Sequence, residues 1–162
     1  MREHIRIGLA VAALALAMAL PGQAQEHPGT PTGREHPGGA PAKSVTDGIQ
    51  SAVNAYVHKQ VGKGKTFPLK DPQMKSTWQL TLKRFHPETK ISNNLYFVCT
   101  DFAAKNGKMV DVDFFLTPSS GQHGFTVRRV LIHKVDGKPR FSYQQDGDKW
   151  YRVGGKKKEL LK

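Results

Sequence analysis

Between Leu95 and Leu116 the chain reads LYFVCTDFAAKNGKMVDVDFFL, and no other stretch constrains the fold as much. Asn106-Gly107 between two alternating apolar runs is the strongest short-range signal for a β-hairpin, since a tight two-residue turn needs residues that tolerate positive φ. A two-residue loop there sets the register. Lys105 then faces Lys108, Ala103 faces Val110, Asp101 faces Val112, Cys99 faces Phe114 and Phe97 faces Leu116. On this reading Phe97, Cys99, Ala103, Val110, Val112, Phe114 and Leu116 form the core side. The other side pairs Tyr96 with Thr117, Val98 with Phe115, Thr100 with Asp113 and Phe102 with Asp111, and its carboxylates suit contact with water. Asp101 is the misfit, because an unpaired carboxylate on an apolar face is costly. A partner near the sheet edge, or a bulge that shifts the register, would resolve it.

The residues before the hairpin supply a helix. From Ser44 to Val61, Val45, Ile49, Ala52, Val53, Tyr56 and Val57 recur at three- and four-residue spacing and form one apolar stripe. Ser44 or Thr46 can cap its start, Asp47 suits the first turn and Lys59 the last. Gly62 or Gly64 can end it in a left-handed conformation. The remaining segments alternate with period two. A short edge strand is predicted over 66–69, limited by Pro68. The stretch 76–85 puts Trp78, Leu80 and Leu82 on one face, and Pro87-Glu88-Thr89 turns the chain. After a polar loop over 118–124, strands are predicted at 125–135, 140–143 and 149–153, separated by Asp136-Gly137 and Asp146-Gly147 turns. Gly154-Gly155 and the three lysines after it read as a solvated tail.

The first 24 residues read as a secretory signal. Arg2 and Arg6 precede an apolar run from Ile7 to Leu20, Pro21 breaks it, and Gly22-Gln23-Ala24 offers small residues for cleavage. That run is short for a membrane span, so no transmembrane segment is expected after cleavage. No cysteine lies directly after it, which excludes bacterial lipoprotein anchoring. The expected location is periplasmic or secreted. Residues 25–43 form a linker rich in proline and glycine, with no large apolar side chain to offset the entropy of ordering. Glu-His-Pro-Gly occurs in it twice, at 26–29 and 35–38. The repeats read as a spacer, or as a metal-chelating tail through His27 and His36. Residues 44–162 then make one domain, expected to be α+β: one N-terminal helix across a curved antiparallel sheet of four to six strands.

One helix followed by hairpin-linked strands is similar in element order to the cystatin-like class of folds. The inhibitor motif of true cystatins, Gln-x-Val-x-Gly, is not matched: in Gln60-Val61-Gly62-Lys63-Gly64 the valine comes one place early. The leader, the Glu-His-Pro-Gly repeats and the core YFVCTDF…VDVDFFL…IHKVDGKPRF also look similar to small exported bacterial proteins. Neither likeness implies an activity.

From residue 44 on, 21 lysines and arginines oppose ten aspartates and glutamates. Such a surplus favours acidic partners, among them an acidic protein or an anionic envelope polymer, or else maintains solubility. The lysines are scattered and no basic-aromatic alternation marks a nucleic-acid platform. Cys99 is the one cysteine, so no internal disulfide forms, and mid-strand on the core face it reads as a small buried thiol. Asp111 and Asp113 point the same way from one strand, and Arg129 and His133 the same way from another. The outer sheet face would then carry Tyr96, Phe102, Asp111, Asp113, Phe115, Arg129 and His133. Three readings stay open for it: cross-strand ion pairs on a solvated sheet, a ligand or partner patch with an aromatic floor, or an acid-base or metal site. Zinc or copper would want three or four converging ligands, and strand alternation places one histidine there. No catalytic residue, metal ligand or cofactor is therefore assigned. No phosphate loop, His-Glu-x-x-His helix, Gly-x-Ser-x-Gly elbow or Cys-x-x-Cys pair occurs. The expected function is an exported, non-enzymatic binding module with a basic surface. The alternatives are a small periplasmic enzyme using a His-Asp pair, or a metal-binding protein.

Overall fold

The computed structural model describes residues 41–61, 65–121 and 124–162. Residues 1–24, read as a leader, most of the stretch read as a linker, Gly62 to Gly64, Gln122 and His123 lie outside these residues. Helix α1 (Lys43–Gln60) is followed by strands β1 (Phe67–Asp71), β2 (Ser76–Phe85), β3 (Thr89–Ser92), β4 (Leu95–Ala104), β5 (Met109–Pro118), β6 (Phe125–Val135), β7 (Lys138–Pro139), β8 (Ser142–Asp146), β9 (Lys149–Gly154) and β10 (Lys157–Leu160). The fold is α+β, with one helix among the described residues. It has two sheets where one was expected. The larger is antiparallel, in the order β1-β2-β4-β5-β6-β7, with β3 pairing the start of β4 beyond the end of β2. The smaller is an antiparallel meander, β10-β9-β8.

The helix forms where its apolar stripe demands. Ile49, Ala52, Val53 and Val57 are buried, while Val45 and Tyr56 pack at the margins. No side chain caps its start, contrary to the expectation for Ser44 or Thr46; Ala42 is the N-cap and its carbonyl accepts from Val45 and Thr46. The stripe lies on Phe67, Trp78, Leu80, Phe102, Val112 and Phe114 of the larger sheet. The Tyr56 ring stands edge-on to Phe67 and Phe114 at 6.2 and 6.1 Å, a favoured aromatic arrangement.

The central hairpin exists, but its register is one residue away from the predicted one. Cys99 pairs with Asp113, Thr100 with Val112, Asp101 with Asp111, Phe102 with Val110 and Phe97 with Phe115. Asn106 does not take the positive φ that a two-residue loop would need; Gly107 alone does, at +83°. Ala104 closes the loop by donating to the Lys108 carbonyl, and Gly107 donates back to Ala104. The loop thus has three residues, a turn followed by a left-handed glycine. A slip of one residue exchanges the faces of one strand relative to the other. Val98, Phe102, Val110, Val112, Phe114 and Leu116 face the helix. Phe97, Cys99 and Phe115 face the opposite way, into a second core with Tyr143, Trp150 and Leu161. The helix covers one face of this hairpin and the smaller sheet packs on the other, while the turn end around Met109 stays exposed.

Two further expectations are corrected. The strand predicted at 140–143 begins at Ser142, because Arg140 leaves the sheet to bind Asp71. The segment read as a solvated lysine tail is β10, and Leu161 after it is buried at 7 % exposure. No described helix is long and apolar enough to cross a membrane.

Candidate functional site

The residues singled out from sequence separate. Tyr96 and Phe102 lie on the helix side, Tyr96 edge-on to Phe125 at 5.1 Å and Phe102 fully buried against Phe67. The other five, Asp111, Asp113, Phe115, Arg129 and His133, share the face toward the smaller sheet. Asp113, Phe115 and His133 are buried there, while Asp111 and Arg129 are partly exposed. Arg129 is engaged by β10, where Glu159 accepts both of its terminal nitrogens at 2.7 and 3.0 Å. Arg152 shares the same carboxylate at 2.6 Å. These guanidiniums hold the Glu159 carboxyl at a pKa of about 2, below its usual range.

A bulge in β6 places His133. Asp111 pairs with Lys134 while Val112 pairs with Ile132, so His133 is the extra residue. Bulges turn neighbouring side chains to one face, and here both reach the carboxylates. Lys134 Nζ lies 3.9 Å from Asp111, and His133 Nδ1 lies 3.5 Å from Asp113 Oδ2. Burial, with Asp101 directly opposite, pushes the Asp111 carboxyl up. Asp101 is itself held by Arg84 at 2.8 Å and by His86 at 2.6 Å. A partner and a changed register together remove the misfit seen in the sequence.

Behind this outer group lies a tighter one. Asp113, His133, Cys99 and Tyr143 are all buried, none more than 2 % exposed. The Tyr143 hydroxyl donates to Asp113 Oδ2 at 2.5 Å. The donor atoms of Cys99, Asp113 and His133 all lie within 4.8 Å of one another. Asp113 Oδ1 and His133 Nδ1 have no hydrogen-bond partner. Burial and the Asp113 charge push the Cys99 thiol and the Tyr143 hydroxyl well up, so both keep their protons. Phe141 stacks on the His133 ring at 4.8 Å and 17°, and closes the group from outside.

Comparison with known protein families, characterised proteins and solved structures yields no match. The site is therefore read from its own chemistry. A nucleophilic thiol needs a low pKa and access, and Cys99 has neither. An acid-base pair needs reach to a substrate, while Phe141 and Tyr143 cover the His133-Asp113 pair.

On the outer side of Phe141 runs a groove of about 790 Å³. Arg140, Arg152, Lys156, Lys157 and Lys158 line it together with Gln73, Phe141 and a single carboxylate, Glu159. Arg140 is committed to Asp71 through two bonds of 2.8 and 2.7 Å, and Arg152 to Glu159. Lys158 extends over the Tyr151 ring at 4.3 Å. Sequence reasoning missed this groove because it treated the lysine run as a tail. The signal it passed over was Glu159-Leu160-Leu161, an acid and two apolar residues that a free tail would not need.

Proposed function

We propose that this chain is an exported, non-enzymatic binding module that holds an acidic partner in the groove between the two sheets. The observation that carries the reading is the lining of that groove: five cations, one carboxylate and an aromatic floor. Two of the cations are fixed by ion pairs and give the groove a rigid wall, while Lys156 to Lys158 extend from the turn into β10. A carboxylate- or phosphate-bearing polymer fits such a surface by long-range attraction and cation contact. The leader-like residues 1–24 and the linker after them support a periplasmic or extracellular location. We extend the cystatin-like likeness only to a helix laid across a curled antiparallel sheet; the second sheet is an addition to that plan.

The test is binding of the protein to polyglutamate, and to vesicles with and without anionic lipid, at rising ionic strength. The reading expects affinity that falls steeply as the screening length drops below about 10 Å. It also expects a loss on the order of tenfold at low salt when Lys156, Lys157 and Lys158 are all changed to Glu. Binding indifferent to both salt and these substitutions would refute it.

A further inference from the structure

The buried group behind Phe141 has a composition that a plain core would not have. A carboxylate, an imidazole and a thiol converge where apolar packing is the norm, and the carboxylate is fully buried. Burying a polar atom without a partner costs about 1–3 kcal/mol, and this group holds two such atoms, Asp113 Oδ1 and His133 Nδ1. Both belong to side chains at least nine-tenths buried, in the same small space as the Cys99 sulfur. We propose that Cys99, Asp113 and His133 form an internal site for one divalent ion of the zinc type.

The chemistry is consistent on three counts. Thiolate, imidazole and carboxylate are ligand types that zinc takes, with bonds of about 2.0–2.3 Å, and three protein donors leave the fourth tetrahedral position to a water enclosed on folding. Donors around such an ion lie about 3.5 Å apart, so atoms now within 4.8 Å reach it by small side-chain rotations. Charge balances as well: a thiolate, a carboxylate and a neutral imidazole around a divalent ion sum to zero, which a buried site tolerates far better than a lone carboxylate. As the sulfur-metal bond forms, the Cys99 proton leaves to solvent. Asp113 and His133, whose Oδ1 and Nδ1 make no hydrogen bond and whose closest approach is 3.5 Å, then gain a shared partner. Tyr143, donating to Oδ2, orients the carboxylate from behind, as outer-shell hydrogen bonds do in metal sites.

Phe141 and the cationic groove in front of it oppose entry of a cation into the folded chain. Loading therefore accompanies folding. The full chain is unfolded under reducing conditions, refolded with Co(II) or Zn(II), and freed of loose metal. The expected result is one ion per folded chain, with a thiolate-to-cobalt charge-transfer absorption. Because the sequence has one cysteine, that band can arise only from Cys99. Cys99→Ser is expected to abolish the band, and His133→Gln to lower retention at least tenfold. His27→Ala with His36→Ala is expected to leave both unchanged. Should a site variant fail to fold by circular dichroism, the wild-type cobalt spectrum decides alone. A folded wild-type chain without the band overturns the proposal, as does zinc retention that depends on His27 and His36.

Discussion

At the scale of single residues, position 102 separates two versions of the same hairpin. With a two-residue loop, Phe102 stands on the water side beside Asp111; in the structure it is fully buried under the helix. Phe102→Ala is therefore expected to cost about 3–5 kcal/mol, measured by urea unfolding, where an exposed ring would cost next to nothing. Tyr143 makes a second test. Tyr143→Phe keeps the ring packed against Phe97 and Phe115 but removes the hydrogen that Tyr143 donates to Asp113 Oδ2. Measured with a chelator present, it is expected to lower stability by about 1–3 kcal/mol. The sequence could not disclose this contact. Alternation did place His133 on the face of Asp113, but under the predicted register Cys99 faces Phe114, and the second partner of Asp113, Tyr143, comes from β8, which the pattern of the hairpin does not locate.

At the scale of elements, the sequence was legible where one signal acted alone. The strand 76–85 and the strand 125–135 form at the predicted bounds, because turn residues flank them. The helix stripe was legible from its own periodicity. The hairpin register was not, since both of its faces are apolar: Phe97, Cys99 and Phe115 compete with Val98, Phe102 and Phe114 for the name of core. Strand β10 was hidden by its lysines, which outweighed Glu159 in composition though not in structure. Glu159 gives this strand a pH dependence. Its folded pKa of about 2 lies below the ordinary 4.5, so the stabilisation is present above pH 4.5 and is lost as pH falls toward 2. Because the side chain is 42 % exposed, the effect is held to about 1 kcal/mol or less. Comparing urea midpoints at pH 7 and pH 3 checks it: Glu159→Gln is expected to lose that share of the acid sensitivity.

At the scale of the whole molecule, one ion pair ties distant parts of the chain. Asp71 ends the edge strand β1, and Arg140 follows the opposite edge strand β7, yet they bind through two bonds. The larger sheet has curled until these two ends meet. Trp78 Nε1 adds a bond of 2.8 Å, and the backbone nitrogens of Gln73 and Met74 complete the shell. The Arg140 guanidinium above all holds the Asp71 carboxyl well below the usual range. Removing one member of such a buried pair leaves the other charge uncompensated, so Asp71→Ala is expected to cost about 3–5 kcal/mol, read from thermal or urea unfolding. Exchanging both members for apolar residues is expected to cost less than the single change. The double cover of β4 and β5 also has a bearing on time. Synthesis delivers the helix before the hairpin and the smaller sheet after it, so a nascent chain carries Phe97 and Phe115 unsheltered from the time they are made until β8 to β10 follow. That interval, rather than the finished molecule, is when a holding chaperone would find its grip.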